Sequence, residues 1–169
     1  MKRVYKIGVI GPFASGKTLF IKSVSGGKNA YFTEKPVSEA HRRKIKETTT
    51  VAIDFTHMEW YNGNKVHLYG TPGQGHLSRI LEMVDPVVEG YVLVLSSDHL
   101  EEVDPHIRQW VQQTSKPVVI ALRTENHSRV PIHIPWIQRE VPVLLWDPSD
   151  RKSGVEVLKK LVDQLPVNR

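Results

Sequence analysis

The residues from Gly11 to Thr18 have the types and the spacing of a phosphate-binding loop. They read Gly-Pro-Phe-Ala-Ser-Gly-Lys-Thr and fit the pattern G-x-x-x-x-G-K-[ST]. The glycines of such a loop let consecutive backbone N–H groups turn towards phosphate oxygens, its lysine reaches the β- and γ-phosphates, and its final hydroxyl binds Mg²⁺. The residues expected to contact phosphates are therefore Gly11, Pro12, Phe13, Ala14, Ser15, Gly16, Lys17, Thr18 and Leu19, with Thr18 also a metal ligand.

The elements on either side of this loop are the ones that the motif requires. Val4 to Ile10 is a β-branched run that stops at Gly11 and predicts a buried strand. Thr18 to Ser25 predicts a short helix, which Gly26-Gly27 closes. The alternative interpretation is a glycine-rich turn that only caps a helix and leaves Lys17 in solvent.

The rest of the chain predicts an alternation of strands and helices after one hairpin. Val51 to Glu59 and Lys65 to Tyr69 alternate around the turn sequence Tyr61-Asn62-Gly63-Asn64, which is typical of an antiparallel hairpin. Further strands are predicted at Tyr91 to Leu95, Val118 to Leu122 and Val141 to Trp146, and further helices at Leu77 to Val84, Leu100 to Gln113 and Ser153 to Leu165. Lys28 to Glu47 is predicted to be a long loop without regular structure, and Pro131 and Pro135 prevent one regular helix through Arg123 to Arg139.

This order predicts a single α/β domain over residues 1–169, built as a three-layer sandwich. We expect a mixed, mostly parallel six-stranded sheet with one antiparallel edge hairpin. Such a sheet places ligands at the carboxyl ends of its strands, where the phosphate loop also lies.

Composition excludes several classes of protein. The 169 residues contain no cysteine, which excludes a disulfide framework, a thiolate zinc site, a cysteine nucleophile and a prenyl or palmitoyl anchor. The formal net charge of +5 permits a polyanionic ligand, but no aromatic and basic stripe indicates nucleic-acid binding. No apolar run is long enough for a membrane span, and the amino end lacks a signal-peptide core. We therefore expect a cytoplasmic protein with no membrane anchor and no nucleic-acid partner.

Four segments after the phosphate loop also match the motifs of a known protein family. They are Thr48 to Phe55, Leu68 to Gln74, Ala121 to Glu125 and Trp146 to Ser149. Together with the phosphate loop, they make the chain resemble Ras-type small GTPases of the P-loop NTPase superfamily over essentially its whole length. The sequence motifs Thr-Thr-Thr-x-x-x-Asp-Phe and Gly-Thr-Pro-Gly-Gln are most similar to those of the prokaryotic MglA-like branch. Members of that branch commonly work with roadblock-domain proteins.

The resemblance assigns chemistry to the two segments that would respond to the γ-phosphate. Thr50 would bind Mg²⁺ and sense the γ-phosphate, although Thr48 or Thr49 takes this place if the register differs by a residue. Gly73 would contact the γ-phosphate through its backbone N–H, and Gln74 would orient the attacking water as the catalytic residue. A solvent-facing threonine, a turn glycine and a solvated glutamine are the structural alternatives.

The base-reading segments depart from the family pattern. With Ala121 placed before the motif, Leu122 replaces its asparagine, Arg123 its lysine and Glu125 its aspartate. Arg123 would then cover the base and Glu125 would accept hydrogen bonds from guanine; a shift by one residue puts Asn126 at the aspartate position instead. The loop against the base would contain Asp147 and Pro148.

Gly70 stands where the family has a metal-associated aspartate, so Mg²⁺ would be held by phosphates, Thr18, Thr50 and water. The resemblance implies a GTP-binding switch with GTP/GDP and Mg²⁺ as its cofactors and slow GTP hydrolysis. Its switch loops would be at about 28–50 and 70–84, and a roadblock-domain or other regulatory protein would be its partner. The alternatives are a pseudo-GTPase scaffold, which Gly70 and Leu122 favour, and a phosphotransferase built on the same loop.

Overall fold

Seven strands and four helices make up the part of the chain that the computed structural model describes, residues 2–12, 15–26, 30–36, 50–70, 77–123 and 134–166. The strands are β1 (Val4–Ile10), β2 (Ala30–Pro36), β3 (Thr50–Glu59), β4 (Lys65–Gly70), β5 (Gly90–Ser96), β6 (Val118–Arg123) and β7 (Val143–Trp146). The helices are α1 (Lys17–Ser25), α2 (Leu77–Val84), α3 (Pro105–Gln113) and α4 (Arg151–Val162). Two short 3₁₀ segments lie at Tyr61–Gly63 and Ser97–Glu102.

The strands form one mixed sheet in the order β2-β3-β4-β1-β5-β6-β7. The five strands β4, β1, β5, β6 and β7 are parallel to one another. The pairs β2 with β3 and β3 with β4 are antiparallel. The chain leaves β1 towards one side of the sheet and returns to its other side with β5. The carboxyl end of β1 is therefore a topological switch point, the place where open α/β sheets bind ligands.

A hydrophobic core lies on each face of the sheet. On one face, Phe20 of α1 and Leu158 of α4 pack with Val9 and Val92 of the central strands. On the other face, Val84 of α2 and Val111 of α3 pack with apolar residues of β5 and β6. The three-layer α/β architecture predicted from the sequence is confirmed.

The hairpin between β3 and β4 is also confirmed. Asn62 and Gly63 have positive φ values of 61° and 77°, and the Asn64 N–H donates to Tyr61 O at 3.2 Å. Two consecutive positive φ values with this hydrogen bond are the pattern of a type I′ turn, which Asn-Gly favours.

The prediction of a structureless segment from Lys28 to Glu47 is wrong for Ala30–Pro36, which is strand β2. It pairs antiparallel with β3, from Ala30 opposite Thr56 to Pro36 opposite Thr50, and raises the sheet from the expected six strands to seven. Tyr31, Phe32 and Thr33 favour strands, but the hydrogen bonds that fix them come from β3, which follows later in the chain. The edge strand is therefore β2 and not a strand of the hairpin.

The helix predicted over Leu100 to Gln113 is shorter than expected. A 3₁₀ segment ends at Glu102, and α3 starts only at Pro105. The reason is Pro105, which disfavours helical backbone at the residue before it and fits the first turn of a new helix. Asp104 caps that turn by accepting a hydrogen bond from the His106 N–H at 2.7 Å.

Residues 134–142 contain no regular helix, which agrees with the prediction from Pro135, while residues 124–133 of the predicted segment, with Pro131, lie outside the described residues. Trp136 holds residues 134–142 to the 3₁₀ segment and to α3: its Nε1 donates to Leu100 O at 2.9 Å, and its carbonyl accepts from Gln112 Nε2 at 2.7 Å. Among the described residues, no helix has the length and apolar character needed to cross a bilayer.

Candidate nucleotide-binding site

The phosphate loop follows β1 directly and is packed against the central sheet. A Cβ on Gly11 would lie 2.5 Å from the backbone oxygen of Val94 and 2.6 Å from Ser15 Oγ, so only glycine fits there. Gly16 has a φ of +104°, which side-chain-bearing residues rarely adopt. The motif glycines therefore allow the close backbone approach that a phosphate cradle needs. Phe13 and Ala14 lie outside the described residues.

Helix α1 points its amino end at this cradle. Gly16 is its N-cap and has no side chain to cap the first turn, and that turn contains no acidic residue. The Phe20 N–H donates to Gly16 O at 2.7 Å and closes the turn. The positive end of the helix, at Lys17, Thr18 and Leu19, is therefore not neutralised by an acid of its own and favours an anion.

Two side chains point polar atoms into the loop. Lys17 Nζ donates to Gly11 O at 2.6 Å and to Pro12 O at 3.1 Å, which places the ammonium group at the mouth of the cradle. Ser15 is 4% exposed, and its Oγ has no hydrogen-bond partner among the described residues. An unpaired buried hydroxyl costs free energy unless a ligand or water completes it. The donor set thus fits a polyphosphate.

The structure describes the side chain of the predicted metal ligand Thr18, but only the backbone of the other, Thr50. Thr18 is exposed in the first turn of α1, where its hydroxyl suits Mg²⁺. Thr50 is the first residue of β3, opposite Pro36, and only its backbone is described. Gly70 ends β4, buried between Val9 and Asp54, and supplies no carboxylate.

Arg123, which ends β6, was predicted to cover the base, and its side chain reaches the phosphate loop. It pairs with Ser96 on one side and Trp146 on the other. A Cβ on Gly16 would lie 3.3 Å from Arg123 Nη1 and 3.5 Å from the Trp146 ring. Leu122 points to the opposite face and is fully buried in the core beside α3. Of the two motif positions, only the one occupied by Arg123 lies at the site.

Trp146 lies beside the phosphate loop, although its sequence segment did not single it out as a candidate binding residue. It is 1% exposed and packs edge-on against Phe20, with ring centroids 5.1 Å apart. Its ring forms a wall beside Gly16. The sequence feature that could have identified Trp146 is a bulky aromatic residue at the carboxyl end of a predicted strand.

The loop after β7 is held by its own hydrogen bonds. Asp147 Oδ1 accepts from the Ser149 N–H at 2.9 Å and from Ser149 Oγ at 2.8 Å. The Asp147 N–H donates to Ser153 Oγ at 3.0 Å, a contact that the sequence analysis missed. Asp150 is the N-cap of α4 and accepts from the Lys152 N–H at 3.1 Å. Asp147 and Pro148 are therefore fixed beside Trp146.

Several predicted site residues lie outside the described residues, and their roles stay predictions. They are Thr48, Thr49, Gly73, Gln74, Glu125 and Asn126. The same holds for most of the expected switch loops at 28–50 and 70–84, apart from Ala30–Pro36, Thr50, Gly70 and Leu77–Val84.

The model of the 50S ribosome-binding GTPase family matches residues 6–124, which include most of β1, the phosphate loop and strands β2 to β6. The chain belongs to this GTPase family. No curated protein matches it.

Solved structures of GTPase domains share the fold at low sequence identity. The G domain of the T. maritima FeoB iron transporter has a TM-score of 0.63 at 17% identity and covers 95% of this chain and 98% of its own. The G domain of FeoB from Methanococcus jannaschii has a TM-score of 0.63 at 17% identity, and the match covers 95% of this chain and 96% of that domain. A bacterial selenocysteine-specific elongation factor has a TM-score of 0.64 at 14% identity, and the match covers 98% of this chain but 30% of the elongation factor.

Proposed function

We propose that this GTPase-family chain is a GTP-binding molecular switch with slow, partner-stimulated hydrolysis. The observation that carries the proposal is the cradle formed by Gly11, Ser15, Gly16 and Lys17 at the switch point of the sheet. Its unpaired buried hydroxyl, its uncapped helix and its inward-facing lysine suit a nucleotide polyphosphate.

Mg²⁺ would be held by the hydroxyls of Thr18 and Thr50 and would neutralise charge on the phosphate oxygens when bound. Because Gly70 provides no carboxylate at the end of β4, we expect metal affinity lower than in a site with an aspartate there. Gln74 would orient the attacking water, and Thr50 and Gly73 would sense the γ-phosphate.

Loss of the γ-phosphate would release the loops at about 28–50 and 70–84 and so change the surface that a partner contacts. The resemblance to the MglA-like branch supports a roadblock-domain protein as that partner and a cytoplasmic site of action. Slow intrinsic rates are usual in this class, which is why a stimulating partner is part of the proposal.

The binding part is tested by the affinity of the protein for a fluorescent GDP analogue. Lys17→Ala removes the ammonium group that faces the cradle and is expected to weaken binding at least tenfold. Lys159→Ala, an exposed lysine of α4, is the matched control and should bind as wild type. Equal affinity of the two variants would contradict the proposed cradle.

The hydrolysis part is tested by single-turnover conversion of GTP to GDP with and without a candidate roadblock protein. Gln74→Ala should lower the rate while GTP affinity stays the same, and Gln109→Ala, an exposed residue of α3, should change neither. Tight GTP binding with no turnover in wild type or variant, even with the partner, would instead identify a pseudo-GTPase scaffold, which Gly70 favours.

A further inference from the structure

Rows of aromatic and basic side chains cross one face of the sheet at β3, β4 and β1. The register sets these rows as Phe55 opposite Tyr69, then His57, His67 and Lys6, then Glu59 opposite Lys65. Helix α1 packs on the opposite face of β3 and β4, against Met58, Val66 and Leu68. The side chains in the rows are half-buried or exposed. We call these seven residues the histidine face.

The rings of the histidine face pack on one another. The centroid of the Phe55 ring lies 5.1 Å from that of Tyr69 and 5.4 Å from that of His67, and the His57 and His67 centroids are 6.1 Å apart. The rings therefore form one continuous, partly apolar surface. Nucleic-acid bases stack on open ring faces, so this mutual packing favours a peptide over a single-stranded nucleic acid.

The groups around His67 are basic. His57 lies opposite it on β3, and Lys6 lies beside it on β1. Burial, and then His57, Lys6 and Lys65, lower the pKa of His67 below 6.5. Like charges on directly opposite residues destabilise a sheet, and an anionic group placed on this row would relieve the repulsion.

The described acids do not neutralise the two lysines. Lys6 and Lys65 are exposed, and neither ammonium group forms an ion pair within the part of the chain that the structure describes. Glu59 is opposite Lys65, but the two charged groups are too far apart to pair. Glu89 accepts from the Lys6 N–H, and its carboxylate is bound by Arg3 at 2.6 Å. The ammonium groups are therefore available to an outside carboxylate.

The chain segments that adjoin these strands do not provide that negative charge. Residues 37–49 contain four lysines and arginines and two glutamates, and residues 71–76 contain no lysine, arginine, aspartate or glutamate. Charge complementarity therefore favours an acidic segment of another protein as the occupant of the histidine face.

We propose that the histidine face docks an acidic segment of a partner protein in every nucleotide state, which goes beyond the proposed switch function. Neighbouring rows are about 6.8 Å apart, the spacing of residues i and i+2 in an extended segment. An apolar side chain of the segment packs on Phe55 and Tyr69, and a carboxylate two residues away meets Lys6 and His67. These residues lie within hydrogen-bonded strands and not in the expected switch loops, so the face keeps its shape when the nucleotide changes.

The test identifies the chemistry of the occupant with random peptides displayed on phage. Peptides enriched by wild type are compared with those enriched by Lys6→Gln/Lys65→Gln. We expect the peptides that prefer wild type to be rich in aspartate and glutamate two residues from apolar positions. In fluorescence anisotropy, the double variant should bind them about 2- to 30-fold more weakly, the effect of two partly exposed ion pairs.

Lys159→Gln/Lys160→Gln removes the same charge from exposed lysines of α4 and is the matched control, which should bind the peptides as wild type does. Lys6→Arg/Lys65→Arg should keep the binding, and thermal unfolding checks that each variant is folded. Affinity should be the same without nucleotide, with GDP and with a non-hydrolysable GTP analogue. Because the nucleotide-free protein is included, a protein that binds no nucleotide but passes the selection would refute the proposed function and support this inference.

Four results would overturn the inference. They are the absence of peptides that prefer wild type, preferred peptides without an excess of acidic residues, an equal loss of affinity in the α4 control, and binding in one nucleotide state alone. An oligouridylate that displaces the selected peptide as well as the unlabelled peptide does would instead identify a nucleic-acid surface and would also contradict the proposal.

Discussion

Gly11→Ala should damage both the fold and nucleotide binding, because the added methyl group has no space. Its Cβ would lie 2.5 Å from Val94 O, roughly 0.9 Å closer than ordinary van der Waals contact. Val94 is fully buried in central strand β5 and cannot move away, so the phosphate loop itself must shift. Overpacking of this kind costs about 1–3 kcal/mol of unfolding free energy, or about 2–12 °C in Tm for a domain of this size.

The assay is urea denaturation, together with titration of a fluorescent GDP analogue. Gly26→Ala is the control, since Gly26 ends the same helix, has a φ of +70°, and nothing lies within 4 Å of its Cβ position. It should cost about 1–2 kcal/mol through backbone strain and leave nucleotide affinity unchanged. Gly11→Ala with wild-type stability and wild-type affinity would refute the close packing of the loop against β5.

Three further predictions concern the support of the site and the pH dependence of stability. Gly154→Ala puts a Cβ 2.5 Å from Val24 Cγ1 between α1 and α4, and should lower the unfolding free energy by about 1–3 kcal/mol in urea denaturation; an unchanged midpoint would contradict this packing. Glu89 is partly desolvated, but its hydrogen bonds from Arg3, at 2.6 Å for the shortest, hold the pKa of its carboxyl below the usual value of 4.5. Stability from this pair is present above pH 4.5 and is lost as the pH falls through the lower folded pKa, so Glu89→Gln should flatten that acid limb in pH-dependent denaturation. Burial, and then the nearby histidine and lysines, lower the pKa of His67 below 6.5, so stability should fall as the pH drops below 6.5 and His67→Gln should reduce this slope; an identical slope would be the contrary result.

The phosphate loop was predictable from sequence because its geometry is local. The glycines, the lysine and the flanking strand and helix are close together in the chain, and each residue type has one evident physical use. The hairpin turn at Asn62-Gly63 was predictable for the same reason, since its positive φ values select these residues.

The remaining features depend on pairing between distant segments. Strand β2 forms because β3 offers it an open edge, which residue patterns within Lys28 to Glu47 do not show. The side chain of Arg123 reaches the loop, and that of Leu122 does not, because pairing with β5 and β7 sets which face each residue occupies. A one-residue difference in register reverses that outcome, so the base-reading motif alone could not decide it.

The central claim, that the cradle at Gly11 to Thr18 binds a guanine nucleotide, is tested most directly by competition on nucleotide-free protein. GTP, GDP and ATP are titrated against a fluorescent guanine nucleotide, with Mg²⁺ and with a chelator. We predict displacement by GTP and GDP at concentrations at which ATP displaces none. Equal displacement by ATP, or failure of the fluorescent nucleotide to bind at all, would contradict the claim.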